Sequence, residues 1–386
     1  MREALRLAYR NLIGAGLRTW LNVGVLSFSF VVILFYNGLI DGWNKQAKRD
    51  TIAWEFGNGH VLHKDYDPLD PFTLLDGHGT YNELNTESLT PVLVRQASIY
   101  PGGRVLNVMI KGIDPNQQTL KLPTIVLDTA ISDIPILIGS SMAKSSGLDI
   151  GDQVLLRWRD AQGTFDATNI TIVGIFETTV PTVDLRQLYM PIEKLWEITK
   201  LHNHATFFVA NENYTHVESE NWKLREIDEL MSSLDNMIES KKAGGSVMYI
   251  LLLSIALLAI FDTQVLSIFR RQKEIGTYIA LGMTRSQVVR LFTIEGFMYS
   301  FLAMIVGSIY GIPLLYTLAK NGIPYPVEQV EDMGIPIADI MYPVFSLGLI
   351  LSTILLVVVS ATIVSYLPAR KISKMNAVDA IKGKLQ

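Results

Sequence analysis

Uncharged apolar positions collect in four blocks along the chain: Leu21 to Leu39, Gly244 to Phe261, Gly296 to Ala319 and Ile340 to Leu367. The second continues to Phe269 with Asp262 as its only ionisable residue. Each block is long enough to cross a bilayer as a helix, which takes about 20 apolar residues at roughly 1.5 Å rise apiece. Between the first and second blocks the pattern changes. Short β-like runs (VLVRQASIY, RVLNVMIKGI, QVLLRWR, NITIVGIF and ATFFVA) alternate with turn residues at PGG, DP, GLDIGD and AQG. The predicted fold class is an integral membrane α-helical protein with four transmembrane helices and a large extracytoplasmic α+β domain between helices 1 and 2.

In chain order this predicts an amphipathic cytoplasmic helix over 1–20, a first span over 21–40, an outer domain with two stalk helices over 41–243, and a second span over 244–269. A connector follows over 270–290, then a third span over 291–319, an outer loop over 320–339, a fourth span over 340–367 and a cytoplasmic tail over 368–386. The length of Leu21 to Leu39 and the lack of an A-x-A site make the first block a retained helix rather than a signal peptide. The helical spacing of Leu224, Ile227, Leu230, Met231, Leu234 and Ile238 predicts that Trp222 to Lys242 forms the second stalk. Pro68, Pro71, Gly77 and Gly79 make residues 64–80 an exposed loop.

Charge fixes the orientation. The net charge is −4, which argues against nucleic-acid binding, and Lys and Arg cluster beside the apolar blocks. Arg2, Arg6, Arg10 and Arg18 precede the first block, Arg270, Arg271, Lys273, Arg285 and Arg290 fill the connector, and Arg370, Lys371, Lys374, Lys382 and Lys384 follow the fourth. By the positive-inside rule these segments, with both termini, are cytoplasmic. The chain has no cysteine, so the outer domain must be stable through its own core.

The connector RRQKEIGTYIALGMTRSQVV is more than a turn. Ile275, Ile279 and Met283 recur every four residues, so it can lie as a helix with one apolar face. Chemistry of other kinds is sparse. There is no G-x-x-x-x-G-K-S/T phosphate loop and no H-E-x-x-H, so no catalytic residue is assigned and any ATP is bound by another chain. His60 with His63, and His202 with His204, have spacings that could bring imidazoles together but no obvious carboxylate with them, and no metal site is assigned to them. Asp262 is an intramembrane acid with two readings: a hydrogen bond, with Thr263 and Gln264, to a neighbouring helix or vestibule, or proton coupling. Gly307 and Gly311 permit close helix packing. Phe28, Phe30, Val31 and Phe35 of the first span have an acyl-chain reading beside a packing or lipid-facing one.

The layout of one span, a large outer domain and three more spans resembles the FtsX/MacB/lipoprotein-releasing class of ABC transporter permeases. The resemblance is carried by RRQKEIGTYIALGMTRSQVVRLFTIEG, where Arg271, Glu274, Ile275, Gly276, Ala280, Leu281, Gly282, Glu295 and Gly296 stand at the family's positions. Pro368, Ala369, Ala377 and Ala380 in YLPARKISKMNAVDAIKG follow a second family pattern, and IGSSMAKSSGLDIGDQV, NITIVGIFET and YMPIEKLWEI resemble parts of its periplasmic core. Two departures are Ile279, where an arginine is common, and Asn376-Ala377 in place of Asp-Pro. The resemblance implies a MacB-like periplasmic core domain and a dimer of permeases, identical or sister, in the bacterial inner membrane. It also implies two ATPase subunits that bind ATP and magnesium, docked on a coupling helix at Arg271, Lys273, Glu274, Ile275, Gly276, Ala280, Leu281 and Gly282. Within the family, NGLIDGWNKQAKRDTIAWEFGNGHVLHKDY looks closest to the LolC/LolE type, which implies lipoprotein release to a carrier, with membrane lipid as surroundings. MacB-type efflux of peptides or toxins and FtsX-like activation of a cell-wall hydrolase are the alternatives.

Overall fold

The computed structural model describes residues 16–81, 86–130, 132–215, 219–324 and 340–374. Most of the expected N-terminal helix over 1–20, most of the loop over 320–339 and most of the tail over 368–386 lie outside the described residues. The chain divides into two compact units, one built from residues up to Trp43, Met237–Ile323 and those from Ile340, the other from Asn44–Asn236.

The first unit is helical. Its elements belong to α1 (Leu17–Thr51), α4 (Ile227–Arg270), α5 (Gln272–Ala280), α6 (Arg285–Asn321) and α7 (Leu347–Ala369). Four of these helices, all but α5, are long and apolar enough to cross a membrane, and α1 is the most enclosed of them. Val23, Leu26, Phe30 and Ile33 of α1 are buried with Leu253, Ala256 and Ile260 of α4, Tyr299 and Ala303 of α6, and Val357 and Ala361 of α7. One polar group of this bundle is paired helix to helix: Asn22 Nδ2 donates to Thr263 Oγ1 at 2.6 Å and to the Ala259 carbonyl at 3.3 Å. In hydrocarbon such a pair has no water to fall back on, so it fixes the register of α1 against α4. Thr284 caps α6 through a capping box with Gln287, so this helix starts within the expected connector, and Ser346 caps α7.

The second unit is an α+β domain. Its strands are β1 (His60–His63), β2 (Leu89–Ile99), β3 (Leu106–Ile113), β4 (Pro135–Gly139), β5 (Gln153–Arg159), β6 (Phe165–Phe176), β7 (Gln187–Pro191), β8 (Phe207–Ala210) and β9 (Trp222–Arg225). The sheet order is β9-β1-β8-β2-β3-β7-β4-β6-β5. The far end of β2 also pairs with β5, Ala97 to Trp158 and Ile99 to Leu156, so six strands close on themselves and the other three form a wing. Pairing is parallel for β3 with β7 and for β4 with β6, and antiparallel elsewhere.

Strand β5 shows why the sequence takes this form. Val154, Leu156 and Trp158 turn inward and Leu155, Arg157 and Arg159 outward, a strict period of two. The inward set joins Leu93, Ile110, Ile136, Ile138, Ile170 and Leu188 in one core, closed by α2 (Ser140–Ser146) and α3 (Ile192–Thr199). Trp158 Nε1 donates to the Ile198 carbonyl at 2.9 Å, so the buried indole keeps a partner.

Two local expectations change. Trp222 to Arg225 is an edge strand rather than the start of the stalk helix, because Trp222 is buried edge-on against Phe208 and His63 and the strand pairs with β1. The polar extension of α1 runs to Thr51 and then widens into a π-turn, Ile52–Phe56. That turn is held within its own unit: Lys121 N donates to the Ala53 carbonyl at 2.8 Å, Trp54 stacks on Phe176, and Thr182 bonds Glu55.

Candidate coupling and cargo sites

The connector is built from a break, a short helix and a turn. Arg271, at φ −100° and ψ 18°, ends α4 and lets α5 start in a new direction. Ile275 and Gly276 face inward, where Ile275 is buried with Ile268, Val288, Phe292, Ala369 and Ile372. Lys273, Glu274, Ala280, Leu281 and Gly282 are exposed, Leu281 by 80 %. Gly282 turns the chain at φ +98°, a conformation L side chains rarely adopt, with open space around it. The eight residues expected to form one coupling face thus split in two: five point outward, and Arg271, Ile275 and Gly276 point into the protein's own bundle.

Arg271 holds the centre of this arrangement. Its Nε lies 2.8 Å from Glu274 Oε2, its Nη1 lies 3.1 Å from Glu295 Oε2, and its guanidinium sits 5.0 Å from the centre of the Phe292 ring. Glu295 is buried, and a Cβ on Gly296 would meet Ser365 of α7, so Glu295-Gly296 is where α6 accepts both the connector and α7.

A cavity of about 330 Å³ opens between α1, α6 and the start of α7, in the size range of small-ligand pockets. Phe30, Val31 and Leu34 form one wall, Gly307 and Gly311 another, and Phe345 closes an end. A Cβ on Gly311 would come within 2.7 Å of Val31 Cγ2 and one on Gly307 within 3.2 Å of Phe30, so both glycines seat α1 against α6. Of the four first-span residues singled out from sequence, Phe30 and Val31 line the cavity, Phe28 is exposed, and Phe35 packs on the bundle core. Asp262 is exposed on α4, two residues from the buried Gln264 and so about 200° round the helix from it. Its neighbour Thr263 makes the interhelical bond to Asn22.

The α+β unit carries an open groove of about 730 Å³ lined by Arg95, Arg157, Arg159 and Arg186. Arg157 and Arg159 lie 4.3 and 5.7 Å over Phe165, and Phe72, 84 % exposed, stands at the rim. The groove was not legible in the sequence, because its arginines come from β2, β5 and the turn before β7, and only the alternation within β5 hinted at it. Burial pushes His60 down to about 4 while its Nε2 stays 3.0 Å from the Glu55 carbonyl and its ring stacks on Phe207. His63 lies edge-on to Trp222, and His204 Nδ1 is 2.8 Å from His78 Nδ1. Burial, with Arg95 and His204 beside it, also lowers His78 to about 4. Among the described residues no group of three or more His, Asp or Glu is placed to hold a metal ion.

Four membrane-length helices, a separate α+β unit that falls between the first and second of them in the chain, and a two-faced helix between the second and third define the architecture of a polytopic membrane protein. Residues 246–377 match the family of the FtsX-like permease C-terminal domain. The chain is similar to the lipoprotein-releasing system transmembrane protein LolC of Xylella fastidiosa strain Temecula1, 22 % identical over 59 % of this chain and 60 % of the relative. It is also similar to LolC of strain 9a5c, 21 % identical over 75 % of this chain and 76 % of the relative. The macrolide export ATP-binding/permease protein MacB 1 of Yersinia pestis bv. Antiqua (strain Antiqua) is 23 % identical over 40 % of this chain and 21 % of its own length. The extracellular domain of the ABC-type transporter YknZ from Gram-positive bacteria, 13 % identical over 40 % of this chain and 83 % of that one, has a TM-score of 0.26, too slight to carry a conclusion. Residues 246–377 thus carry an FtsX-like permease domain, and the chain is similar at low identity to the permeases LolC and MacB.

Proposed function

We propose that the chain is the membrane subunit of a transporter that extracts lipoproteins from the bacterial inner membrane, with ATP and magnesium bound by separate ATPase subunits. Two ATPases serve two permeases, identical or sister, with both termini and α5 on the cytoplasmic side and the α+β unit in the periplasm. The observation that carries this reading is the connector: one face buried in its own bundle, the other presenting Lys273, Ala280 and Leu281, exposed among the described residues. An exposed leucine beside a lysine suits a protein surface better than water. The cavity beside Phe30 and Val31, almost wholly apolar, suits an acyl chain of the cargo, and the names of the LolC relatives agree with a lipidated cargo.

The test is reconstitution with the cognate ATPase in lipid vesicles holding a triacylated lipoprotein and a soluble carrier outside. ATP-dependent transfer to the carrier is the expected result, and no transfer with an active ATPase rules lipoprotein release out. The match to MacB and the water-facing arginine groove favour a second reading, efflux of anionic peptides or toxins from the outer side. ATPase stimulation by such compounds and not by lipoprotein would select it.

A further inference from the structure

The reading of α5 as the ATPase-facing segment leaves open how a push on it reaches the spans, and the inference here rests on that reading. We propose that Arg271 is a positioning residue: a pin that locks α4, α5 and α6 at one angle so that they turn together. Three elements meet at one guanidinium, since Arg271 joins the last residue of α4, Arg270, to the first of α5, Gln272, Glu274 lies in the first turn of α5, and Glu295 lies in α6. The Arg271 side chain is 17 % exposed and that of Glu295 5 %, so neither faces a partner across the connector.

The apolar contacts of Ile275 with Val288, Phe292 and Ile372 hold α5 close without fixing its angle, because the hydrophobic effect is non-directional. A planar guanidinium with a fixed fork of donors, bonded to two carboxylates and laid over Phe292, supplies the direction. Lysine, a point charge on a flexible stem, cannot. Arg271 therefore differs in task from Lys273, two residues on, whose exposed side chain is free for docking.

The experiment uses the full chain with its ATPase in nanodiscs. The chain has no cysteine, so Lys223→Cys and Leu347→Cys accept spin labels without other changes. Three quantities are read: ATPase affinity, basal hydrolysis, and the fraction of molecules whose label distance shifts with ATP and vanadate. In Arg271→Gln and Glu295→Gln, affinity and hydrolysis are expected to stay at the wild-type level while the shifted fraction relative to the unshifted falls about tenfold, within the usual range of coupling between sites. Arg271→Lys keeps the charge, which guards against failure to fold, and is expected to lose the shift as well. A wild-type shift in Arg271→Gln or Arg271→Lys overturns the proposal. So does a joint loss of affinity, hydrolysis and shift, which would make Arg271 a contact or a merely structural residue. If the unsubstituted chain binds no ATPase, the functional reading itself fails, and that is seen before any variant is made.

Discussion

Leu281→Ala offers a clean separation of docking from folding. Leu281 lies just past the end of α5, 80 % exposed and flanked by exposed Ala280 and Gly282. Removing its side chain takes almost nothing from the bundle, so stability should change by no more than about 0.5 kcal/mol. If an ATPase subunit covers it, the same truncation removes about 1.5–3 kcal/mol of apolar burial. That corresponds to a loss in affinity of about 10- to 100-fold. The matched control is Ile275→Ala, six residues earlier and fully buried. There a large-to-small change costs about 2–5 kcal/mol through lost packing and the space left behind. The assay titrates fluorescent ATPase against permease in nanodiscs and follows thermal unfolding of each variant. Leu281→Ala should weaken binding at unchanged Tm, whereas Ile275→Ala should lower the Tm. Unchanged affinity in Leu281→Ala, or a fall in Tm equal to that of Ile275→Ala, refutes the two-faced connector.

Acid should weaken the α+β unit. His60 falls from its ordinary 6.5 to about 4 through burial, so the unfolded chain takes its proton near pH 6.5 and the folded chain only near 4. Stability is untouched above pH 6.5 and declines as the pH falls from 6.5 to 4, by roughly 3 kcal/mol from this residue. Urea unfolding of the full chain, followed by tryptophan fluorescence across that window, checks it, and His60→Phe should flatten the decline. Gly311→Val places a side chain against Val31 at the α1–α6 contact and should cost about 1–3 kcal/mol of bundle stability by overpacking; an unchanged Tm in detergent refutes the close approach. Gly282→Ala meets no neighbour, so its cost is backbone strain alone at φ +98°, about 1–3 kcal/mol. A drop in Tm that does not grow from Gly282→Ala to Gly282→Leu would show that strain, rather than crowding, is the cause.

Much of this was legible wherever the pattern is local. The strict alternation of QVLLRWR gave a half-buried strand, and four uncharged blocks gave four membrane-length helices. Long-range pairing was not legible. Trp222 and Leu224 fit the helical spacing that begins in earnest at Ile227, and only pairing with His60–His63, some 160 residues earlier, makes them a strand. The same holds inside the bundle. A block that is apolar all round carries no sign of which stripe faces which neighbour. Phe28 and Phe30 are equivalent in sequence, yet they lie about 200° apart on a helix, and only Phe30 reaches the cavity. Asn22 was the available signal, since an amide inside an apolar block needs a partner helix.

The family motif in the connector acquires a physical division of labour. Ile275 fills the core at the foot of α6 and α7, Glu295 takes the Arg271 fork, and Gly296 makes room for Ser365. These positions keep the connector fixed to its own bundle whatever lies beneath it. Ile279, where the family resemblance implies an arginine, joins the half-buried side chains on that inner cluster. Its replacement turns a cation at the docking edge into packing within the chain. If α5 docks an ATPase as proposed, recognition falls to Lys273, Ala280 and Leu281, one positive charge and a small apolar step, because Glu274 is already paired with Arg271. The matching ATPase surface should therefore offer a single acidic residue beside an apolar hollow rather than an acidic rim. Ile279→Arg tests this: restoring the cation should leave binding to the cognate ATPase no tighter, and tighter binding would show that the cognate surface is acidic there after all.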